Sequence, residues 1–470
     1  MVKIFWFRKD LRLFDNRALA HFTDDVKPDE KFLFLYVKNR NTFKYFGEYR
    51  ISFLHESLND LSNSLGGKGL KLTVLEGSSI SVFRELQSKY KNVTVYANRQ
   101  VEPYTLKRDE AVSKFLESKG SSLKPYSDTT LFEPDEIIKD DGNPYSVFTP
   151  FSRKCYTLIN DKHYNAADCR IERLIAENNI SLKSIKFEDL KKSPLLRGGR
   201  TEGLRLLKEF YNKGLDKYKS QRDFPSVHGT SLLSAHLHFG TVSIRECFRA
   251  AMKKQRDMST SDEVKVWMNE LLWREFYYHI THHFPEIIKT SFKQQYDKLE
   301  WNYDEKTFRQ WCEGKTGYPI VDAGMRQLNE EGWMHNRVRM LTAMFLTKDL
   351  FIDWRWGEKY FAEKLVDLDF SANNGGWQWS ASTGCDAQPY FRIFNPYLQS
   401  ERFDAKGAYI RKYVKELTNV PDKYIHKPND MNAEQQTNCG VVLGKDYPYP
   451  IVEHQSVKEN VLNKFKRITK

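Results

Sequence analysis

The stretch Lys31-Phe-Leu-Phe-Leu-Tyr-Val37 is a short apolar run that is rich in β-forming residues. Similar runs occur at 3–7, 70–75 and 93–97, and helical patterns lie between them at 51–65 and 80–90. Strands that are buried on both faces have continuous apolar sequences, and helices of this length connect parallel strands. Residues 1–130 are therefore predicted to form an α/β domain with a doubly wound parallel sheet.

The rest of the chain divides into a linker and a helical region. Residues 131–200 contain loop-forming sequences such as Asp140-Asp-Gly-Asn-Pro144 and Arg197-Gly-Gly-Arg200, which predict a long interdomain linker. From 201 to 470, apolar residues recur at helical spacing, for example at 264, 267, 271 and 278. This spacing predicts a large all-α domain.

The composition favours an anionic partner. The 470 residues include 74 Lys and Arg against 62 Asp and Glu, a net charge of +12. This excess favours nucleic acid first and a membrane surface second, although a merely basic protein has the same composition. Part of it is concentrated in the linker region, at Lys191, Lys192, Arg197, Arg200, Arg205 and Lys208.

Cysteine spacing and hydropathy bear on the compartment. The six cysteines form no recognised zinc or disulfide pattern. The first residues have no apolar signal core, and no apolar run is long enough for a transmembrane helix. We therefore expect a cytoplasmic protein with free thiols.

Nine of the ten tryptophans lie between Trp267 and Trp379. The segment ends in Asp367-Leu-Asp-Phe-Ser-Ala-Asn-Asn-Gly-Gly-Trp-Gln-Trp379, which places acids, amides and two indoles close together. Indole is easily oxidised and stacks on flat rings. The cluster indicates a site that holds a flat aromatic ligand and moves electrons, while a Trp-rich core is the alternative for any single indole.

One predicted helix carries a carboxylate among aromatic side chains. Trp267, Glu270, Arg274 and Tyr277 recur three and four residues apart and so share one face, with Trp273 beside them. A carboxylate between indoles suits hydrogen bonds to a base or to a flavin edge. The alternative is an exposed Glu270–Arg274 ion pair that contributes little energy.

A second helix is predicted to open at Trp333, with Asn336 and Met340 on the same face. Arg339 lies beside them and is predicted to pair with Asp367, because a buried arginine needs an acidic partner. The alternative is a structural ion pair without a ligand.

Hydroxyl side chains precede another helical run, in Gly229-Thr-Ser-Leu-Leu-Ser234. Backbone N–H groups at such a helix start suit a phosphate, although ordinary N-caps have the same sequence. Tyr218 and Arg222 lie just upstream and are candidates to close over the phosphates. His236, His238 and the histidines at 279–283 form no recognised ligand set, so no metal is expected.

Several motifs together resemble those of the photolyase/cryptochrome family, and they follow the family's order from residue 1 to about 455. They are Trp6-Phe-Arg-Lys-Asp-Leu-Arg-Leu-Phe-Asp-Asn16, Thr230-Ser-Leu-Leu-Ser234, Trp267-Met-Asn-Glu-Leu-Leu-Trp-Arg-Glu-Phe-Tyr277, Gly317-Tyr-Pro-Ile-Val-Asp-Ala323, Gly332-Trp-Met-His-Asn-Arg337, Ala372-Asn-Asn-Gly-Gly-Trp-Gln-Trp379 and Pro389-Tyr-Phe-Arg-Ile-Phe-Asn-Pro396. The finer resemblance is to bacterial class I cyclobutane pyrimidine dimer photolyases.

The resemblance implies light-driven repair of these dimers in DNA, with an antenna domain at 1–130 and a FAD-binding catalytic domain at 201–470. The FAD-binding residues that it implies are Tyr218, Thr230, Ser231, Leu232, Leu233, Ser234, Arg274, Asn336, Arg339, Asp367, Asp369 and Asn373. The implied catalytic and electron-transfer residues are Glu270, Asn373, Trp301, Trp354 and Trp377. The expected contacts to DNA and the lesion are Arg222, Trp267, Glu270, Trp273, Met340, Trp379 and Arg392.

The resemblance leaves alternatives open. A cryptochrome-type photoreceptor shares the flavin and the tryptophans, but Asn373 fits a photolyase better. Photolyases of the (6-4) type place a histidine in the helix region that here contains Met340. A second antenna chromophore is expected, either methenyltetrahydrofolate or a deazaflavin. The expected partner is UV-damaged DNA, bound by a monomer.

Overall fold

The computed structural model describes residues 1–43, 45–185, 195–257 and 262–469. The chain forms two compact units, of which unit 1 comprises residues 1–216 and 231–285, and unit 2 comprises residues 217–230 and 286–470. The domain boundaries predicted near residues 130 and 200 stay predictions. Lys191 and Lys192 of the basic stretch lie outside the described residues.

Unit 1 contains a five-stranded parallel sheet. Its strands are β1 (Val2–Phe7), β2 (Lys31–Lys38), β3 (Leu72–Glu76), β4 (Val93–Asn98) and β5 (Ser122–Tyr126), in the order β3-β2-β1-β4-β5. Strand β1 lies at the centre, where Val2 is opposite both Lys31 and Val93. The predicted α/β class and parallel sheet are confirmed.

The edge strand β5 was not predicted. Its sequence, Ser-Leu-Lys-Pro-Tyr, has no continuous apolar run, and most of its side chains are partly or fully exposed. Pro125 has no N–H to donate, which an edge strand tolerates because it has only one neighbour. The other four strands consist largely of apolar, buried residues, which made them visible in the sequence and left β5 undetected.

Helices cover the sheet and extend unit 1. They are α1 (Arg17–Asp25), α2 (Arg40–Phe43), α3 (Glu48–Gly66), α4 (Ser79–Tyr90), α5 (Pro103–Glu117), α6 (Phe148–Leu158), α7 (Asp161–Tyr164), α8 (Arg200–Lys213), α10 (Ser234–Phe239), α11 (Ile244–Asp257) and α12 (Asp262–His283). Helices α3 and α4 confirm the patterns at 51–65 and 80–90.

Unit 2 is helical. It contains α9 (Tyr218–Gln221), α13 (Glu305–Cys312), α14 (Pro319–Glu331), α15 (Asn336–Met344), α16 (Trp354–Lys364), α17 (Phe370–Ala381), α18 (Pro396–Phe403), α19 (Ala408–Tyr413), α20 (Ala433–Cys439) and α21 (His454–Thr469). A π-helix at Phe345–Asp349 follows α15. The core of this unit includes Trp301, Trp311, Trp354 and Trp377.

The prediction that a helix opens at Trp333 is wrong. Helix α14 ends at Glu331 and is capped by Gly332, whose φ of 66° suits glycine, and α15 begins only at Asn336. The N-cap is His335, whose side chain accepts a hydrogen bond from the backbone N–H of Arg337. Trp333 therefore lies in the turn between two helices and does not share a face with Met340.

None of the described helices combines the length and the apolar character that crossing a membrane requires.

Candidate functional site

The predicted pair of Arg339 and Asp367 is present in unit 2. The Nη2 atom of Arg339 lies 2.8 and 3.1 Å from the two carboxylate oxygens of Asp367, and its Nε donates to the carbonyl of Met334. The Asp367 side chain is 2% exposed and that of Arg339 is 24% exposed. The pair thus fixes the chain before α17 to the start of α15 and keeps part of the guanidinium accessible.

Asp369 and Asn373 are held by α17 in different ways. Asp369 is the N-cap, and its carboxylate accepts a hydrogen bond from the N–H of Ala372. Asn373 lies in the first turns of the helix, where its Nδ2 donates to the carbonyl of Glu358 on α16. This bond fixes the amide, and among the described residues Oδ1 of Asn373 has no donor.

Two glycines on α16 and α17 have opposite surroundings. A Cβ at Gly357 would lie 2.1 Å from the ring of Trp377, so only glycine allows α16 to approach α17 this closely. A Cβ at Gly376 would meet nothing within 4 Å. Helix packing explains Gly357, whereas no contact among the described residues requires glycine at position 376.

The three tryptophans expected to carry electrons all belong to the core of unit 2. Trp377, Trp354 and Trp301 are 2%, 1% and 7% exposed. Their assignment to electron transfer stays a prediction. Within the described residues, the indole N–H groups of Trp354 and Trp377 have no acceptor.

In unit 1, α12 holds its two tryptophans differently. Trp267 is 2% exposed and packs against Phe210, with ring centroids 5.0 Å apart, as the core alternative predicted for a single indole. Trp273 is partly exposed and stacks on Phe148 of the predicted linker, with centroids 3.7 Å apart and planes 8° apart. The Phe148 ring thus fixes the indole plane of Trp273.

Glu270 and Arg274 are both half-buried on the same helix. Arg274 donates to the carbonyl of Thr129 at 2.7 Å and to the hydroxyl of Tyr278 at 3.2 Å, and its guanidinium lies 4.5 Å from the Tyr278 ring centroid. These contacts orient Arg274 toward the chain that follows β5.

The hydroxyl-rich segment before α10 does not form a side-chain N-cap, which was the alternative to a phosphate site. Helix α10 begins at Ser234, and its N-cap is Leu233, which makes no side-chain cap bond. Leu232 has a φ of 55°, an uncommon conformation for a branched side chain. Within the described part of the chain, the first backbone N–H groups of α10 thus have no hydroxyl cap.

The predicted phosphate-binding residues that precede Thr230 lie close together in unit 2. Tyr218 is 8% exposed, and the Arg222 guanidinium is 5.3 Å from its ring centroid. Gly229 follows, and a Cβ there would lie 2.6 Å from the carbonyl oxygen of Gln221. A tight turn therefore brings the two ends of the segment 221–229 together.

The remaining predicted site residues differ in exposure. Met340, Trp379, Thr230 and Ser231 are half-buried, whereas Asn336, Ser234 and Arg392 are exposed. Arg392 follows a turn that its own N–H closes on the carbonyl of Pro389. The roles assigned to all of these residues stay predictions.

Two acids, the buried Glu275 and the half-buried Glu358, were missed in the sequence. Burial raises the pKa of Glu358 to about 7, and its Oε1 accepts a hydrogen bond from Asn374 next to Asn373. Burial also raises the pKa of Glu275 to about 7, although the backbone N–H groups of Leu131 and Phe132 donate to its carboxylate. Glu275 lies within the quoted motif 267–277, but neither acid was assigned a role, because their hydrogen-bond partners are not their neighbours in the sequence.

The histidines on α12 have an acidic neighbour that their spacing did not indicate. Oδ1 of Asp135 lies 3.4 Å from Nε2 of His282 and 3.9 Å from Nε2 of His283. Nε2 of His283 also lies 3.1 Å from the carbonyl of Pro134. The expectation that the chain holds no metal stays a prediction.

Two known protein families match the N-terminal and the C-terminal parts of the chain. Residues 3–168 match the family described as DNA photolyase, and residues 267–467 match the FAD binding domain of DNA photolyase. Proteins named deoxyribodipyrimidine photo-lyase are 38% identical in Alkalihalophilus pseudofirmus and 39% identical in Agrobacterium fabrum. Each match covers 99% of this chain and 98% of the relative.

Solved structures agree with this comparison. A bacterial class III photolyase from Agrobacterium tumefaciens has a TM-score of 0.90 and 37% identity, covering 99% of this chain and 97% of that chain. A Synechocystis cryptochrome has a TM-score of 0.87 and 29% identity, covering 98% of each. The expected resemblance to class I is corrected here, since the first of these structures is a class III enzyme.

Proposed function

This chain belongs to the DNA photolyase family, and on that premise we propose that it is a deoxyribodipyrimidine photo-lyase that repairs cyclobutane pyrimidine dimers in DNA with light. The observation that carries the proposal is the match to relatives of that name over nearly the whole length of both chains. The carbon–carbon bonds of the cyclobutane ring are the bonds that such a lyase breaks.

When bound, FAD supplies light absorption and one-electron donation, and the protein supplies orientation and electrostatics. We propose that Asn336, Arg339, Asp367, Asp369 and Asn373 hold its ring system. Two observations fit such a ligand. The side-chain amide oxygen Oδ1 of Asn373 is available as an acceptor for a ring N–H. The open space beside Gly376 accommodates a flat group.

The remainder of the cofactor carries phosphates and needs donors. We assign its diphosphate region to Tyr218 and to residues 230–234, and Arg274 is a further proposed contact. The uncapped start of α10 supports the assignment, because free N–H groups at a helix start attract anions. Arg222 adds positive charge beside Tyr218.

For the lesion, we propose that Glu270 accepts hydrogen bonds from the extruded pyrimidine pair and that Trp273, Met340 and Trp379 form apolar walls. The stack of Trp273 on Phe148 supports this role, since it holds a partly exposed indole in one orientation. Trp267 is buried against Phe210, which favours a supporting role for that residue. A damaged base pair is easier to extrude than an intact one.

The partner in this proposal is UV-damaged DNA, and the net charge of +12 supports binding to its phosphates. Arg222 and Arg392 are the proposed phosphate contacts. A monomer in the cytoplasm is the expected working form. The second chromophore expected for the family is methenyltetrahydrofolate or a deazaflavin, and an absorption spectrum of the purified protein distinguishes the two.

The test is repair of an oligonucleotide that contains a dimer, by protein that is reduced and illuminated. Glu270→Ala should slow repair strongly while leaving flavin binding in place, because the carboxylate would contact the lesion. Glu263→Ala on the same helix is the matched control. Full repair by Glu270→Ala, or no light-dependent repair by the wild-type protein, would refute the proposal.

The similarity to a cryptochrome structure favours a second candidate, a blue-light receptor. A receptor needs flavin and electron transfer but no lesion contact. Two measurements separate the candidates. A receptor would not repair the oligonucleotide even as the wild-type protein, and its Glu270→Ala variant would keep its photochemistry.

A further inference from the structure

Two neighbouring histidines at the end of α12 converge on one acid in unit 1. Oδ1 of Asp135 lies 3.4 Å from Nε2 of His282 and 3.9 Å from Nε2 of His283, and the three side chains offer donor atoms that all lie within 4.8 Å of one another. Residues that are adjacent in a helix do not normally face each other, so this convergence is a specific arrangement. These three residues are called the His–Asp site below.

The spacing of the three donor atoms fits a transition-metal ion. Zinc binds imidazole nitrogen at about 2.0–2.1 Å and carboxylate oxygen at about 2.0–2.2 Å, usually with tetrahedral geometry, which places the ligand atoms about 3.4 Å apart. The distance between Asp135 and His282 already has this value. The two longer distances need only side-chain rotation to reach it, and the Asp135 side chain has room to rotate because it is 78% exposed.

A backbone oxygen lies at the same place. The carbonyl oxygen of Pro134 is 3.1 Å from Nε2 of His283, which is close to the spacing of two ligands on one ion. Without a metal, Nε2–H donates a hydrogen bond to this carbonyl. A neutral imidazole can carry its proton on Nδ1 instead, and Nε2 and the carbonyl oxygen are then both free to bind an ion between them.

Packing holds the two rings near this geometry. The side chains of His282 and His283 are 30% and 16% exposed, and their ring planes are 86° apart. The His283 ring also packs against that of His279, with centroids 4.4 Å apart. Donors that are already ordered lose little freedom when they bind a ligand.

The donor set selects the class of metal. Imidazole suits zinc, copper and nickel, whereas magnesium and calcium prefer a set made of oxygens. Two imidazole nitrogens with a carboxylate and a carbonyl oxygen therefore favour a zinc-type ion over a magnesium-type ion.

The chain that leads to this site already follows α12. The carbonyl of Thr129 accepts a hydrogen bond from Arg274 at 2.7 Å. The N–H groups of Leu131 and Phe132 donate to the carboxylate of Glu275 at 2.9 and 3.4 Å. A metal ion at the His–Asp site adds a further attachment, at the C-terminal end of the same helix.

We propose that Asp135, His282 and His283 bind a zinc-type divalent ion, with the carbonyl oxygen of Pro134 as the fourth ligand. The ion is structural and cross-links the end of α12 to the segment at 134–135. The proposal opposes the expectation that the chain holds no metal. That expectation considered spacing along the chain, where an acid from a distant segment is not visible. The site does not depend on the proposed flavin function.

Calorimetric titration tests the site on the full-length protein, purified without a histidine tag and freed of metal by a chelator. Zn²⁺ should bind once per chain, and Mg²⁺ should not bind at the site. His282→Gln and Asp135→Asn should each weaken Zn²⁺ binding by about ten-fold or more, since even outer partners of a ligand set change affinity by this much. His21→Gln, which changes an exposed histidine of the same unit, is the matched control and should bind as the wild type does.

A spectroscopic signature identifies the ligands. Electron paramagnetic resonance of the protein with half an equivalent of Cu²⁺ should show couplings to two imidazole nitrogens. His282→Gln should leave couplings to one, and Asp135→Asn should keep both. Loss of the fold would not imitate this pattern, and circular dichroism of the metal-free variants checks the fold directly.

Hydrogen exchange measures the proposed cross-link. Zn²⁺ should slow amide exchange in residues 131–135 several-fold in the wild type and in His21→Gln, because an attached segment opens less often. In Asp135→Asn the ion should leave exchange unchanged at the same concentration. No saturable Zn²⁺ binding by the wild type, or equal affinity in the wild type and both site variants, would overturn the proposal and leave the proposed repair function untouched.

Discussion

At the scale of single residues, Glu358 gives the protein a pH-dependent stability. Its pKa is raised from 4.5 to about 7 by burial, so the folded state favours the protonated acid. The contribution of Glu358 to the free energy of unfolding is at most about 3 kcal/mol. It is complete below about pH 4.5 and is lost as the pH rises through about 7. Glu358→Gln keeps an oxygen acceptor for Asn374 and should flatten the fall in melting temperature over this range.

The control for this prediction is Glu434→Gln, which changes an exposed glutamate on α20. Its melting temperature should follow the wild-type pH profile. A Glu358→Gln profile as steep as that of the wild type would show that Glu358 does not carry the pH dependence.

Asp367 was predictable from the sequence, and Glu358 was not. Asp367 belongs to a dense polar motif, and a nearby arginine without an obvious partner identified the pair. Glu358 becomes unusual only through its tertiary surroundings, which include the hydrogen bond from Asn374 of α17. Contacts that tertiary packing creates leave no local pattern in the chain.

The Asp367 pair leads to a second prediction. Asp367→Asn leaves the Arg339 charge without its partner. A fully buried pair broken in this way costs about 3–5 kcal/mol, and the partial exposure of Arg339 reduces the expected loss to about 2 kcal/mol. Urea unfolding of the flavin-free protein measures the loss, and flavin content should fall as well. Asp297→Asn, which breaks the more exposed pair with Arg355, should cost less than about 1 kcal/mol.

At the scale of secondary-structure elements, a substitution at Gly376 on α17 should affect ligand binding and helix stability in opposite directions. Alanine in the interior of a helix is more stable than glycine by about 0.5–1 kcal/mol, and no atom obstructs its Cβ at this position. Gly376→Ala should therefore stabilise the flavin-free protein and weaken FAD binding, because the methyl group enters the ligand's space.

Gly66→Ala is the matched control, since a Cβ there also meets nothing within 4 Å and α3 belongs to unit 1. It should leave the FAD dissociation constant unchanged in a fluorescence titration. Equal FAD affinity in the Gly376→Ala variant would mean that the space beside α17 is not used by the cofactor.

The elements that were predicted correctly share a strong local signal. The four predicted strands consist largely of apolar residues, and α12 buries the apolar residues at 264, 267, 271 and 278 on which its prediction rested. Strand β5 and the start of α15 depend on context, the first on its pairing with β4 and the second on the cap formed by His335. Such boundaries require knowledge of the neighbouring chain.

At the scale of the whole molecule, the net charge of +12 predicts how DNA binding responds to salt. Each phosphate contact contributes about −0.9 to the slope of log K against log salt concentration. Arg392 is exposed, so Arg392→Ala should reduce the magnitude of this slope by about 1, for damaged and for undamaged duplexes alike. Fluorescence anisotropy over a salt series measures the slope. Arg173→Ala, which removes an exposed arginine near Asp24, is the control and should not alter it. If both variants changed the slope equally, the charge would act diffusely and Arg392 would not be a phosphate contact.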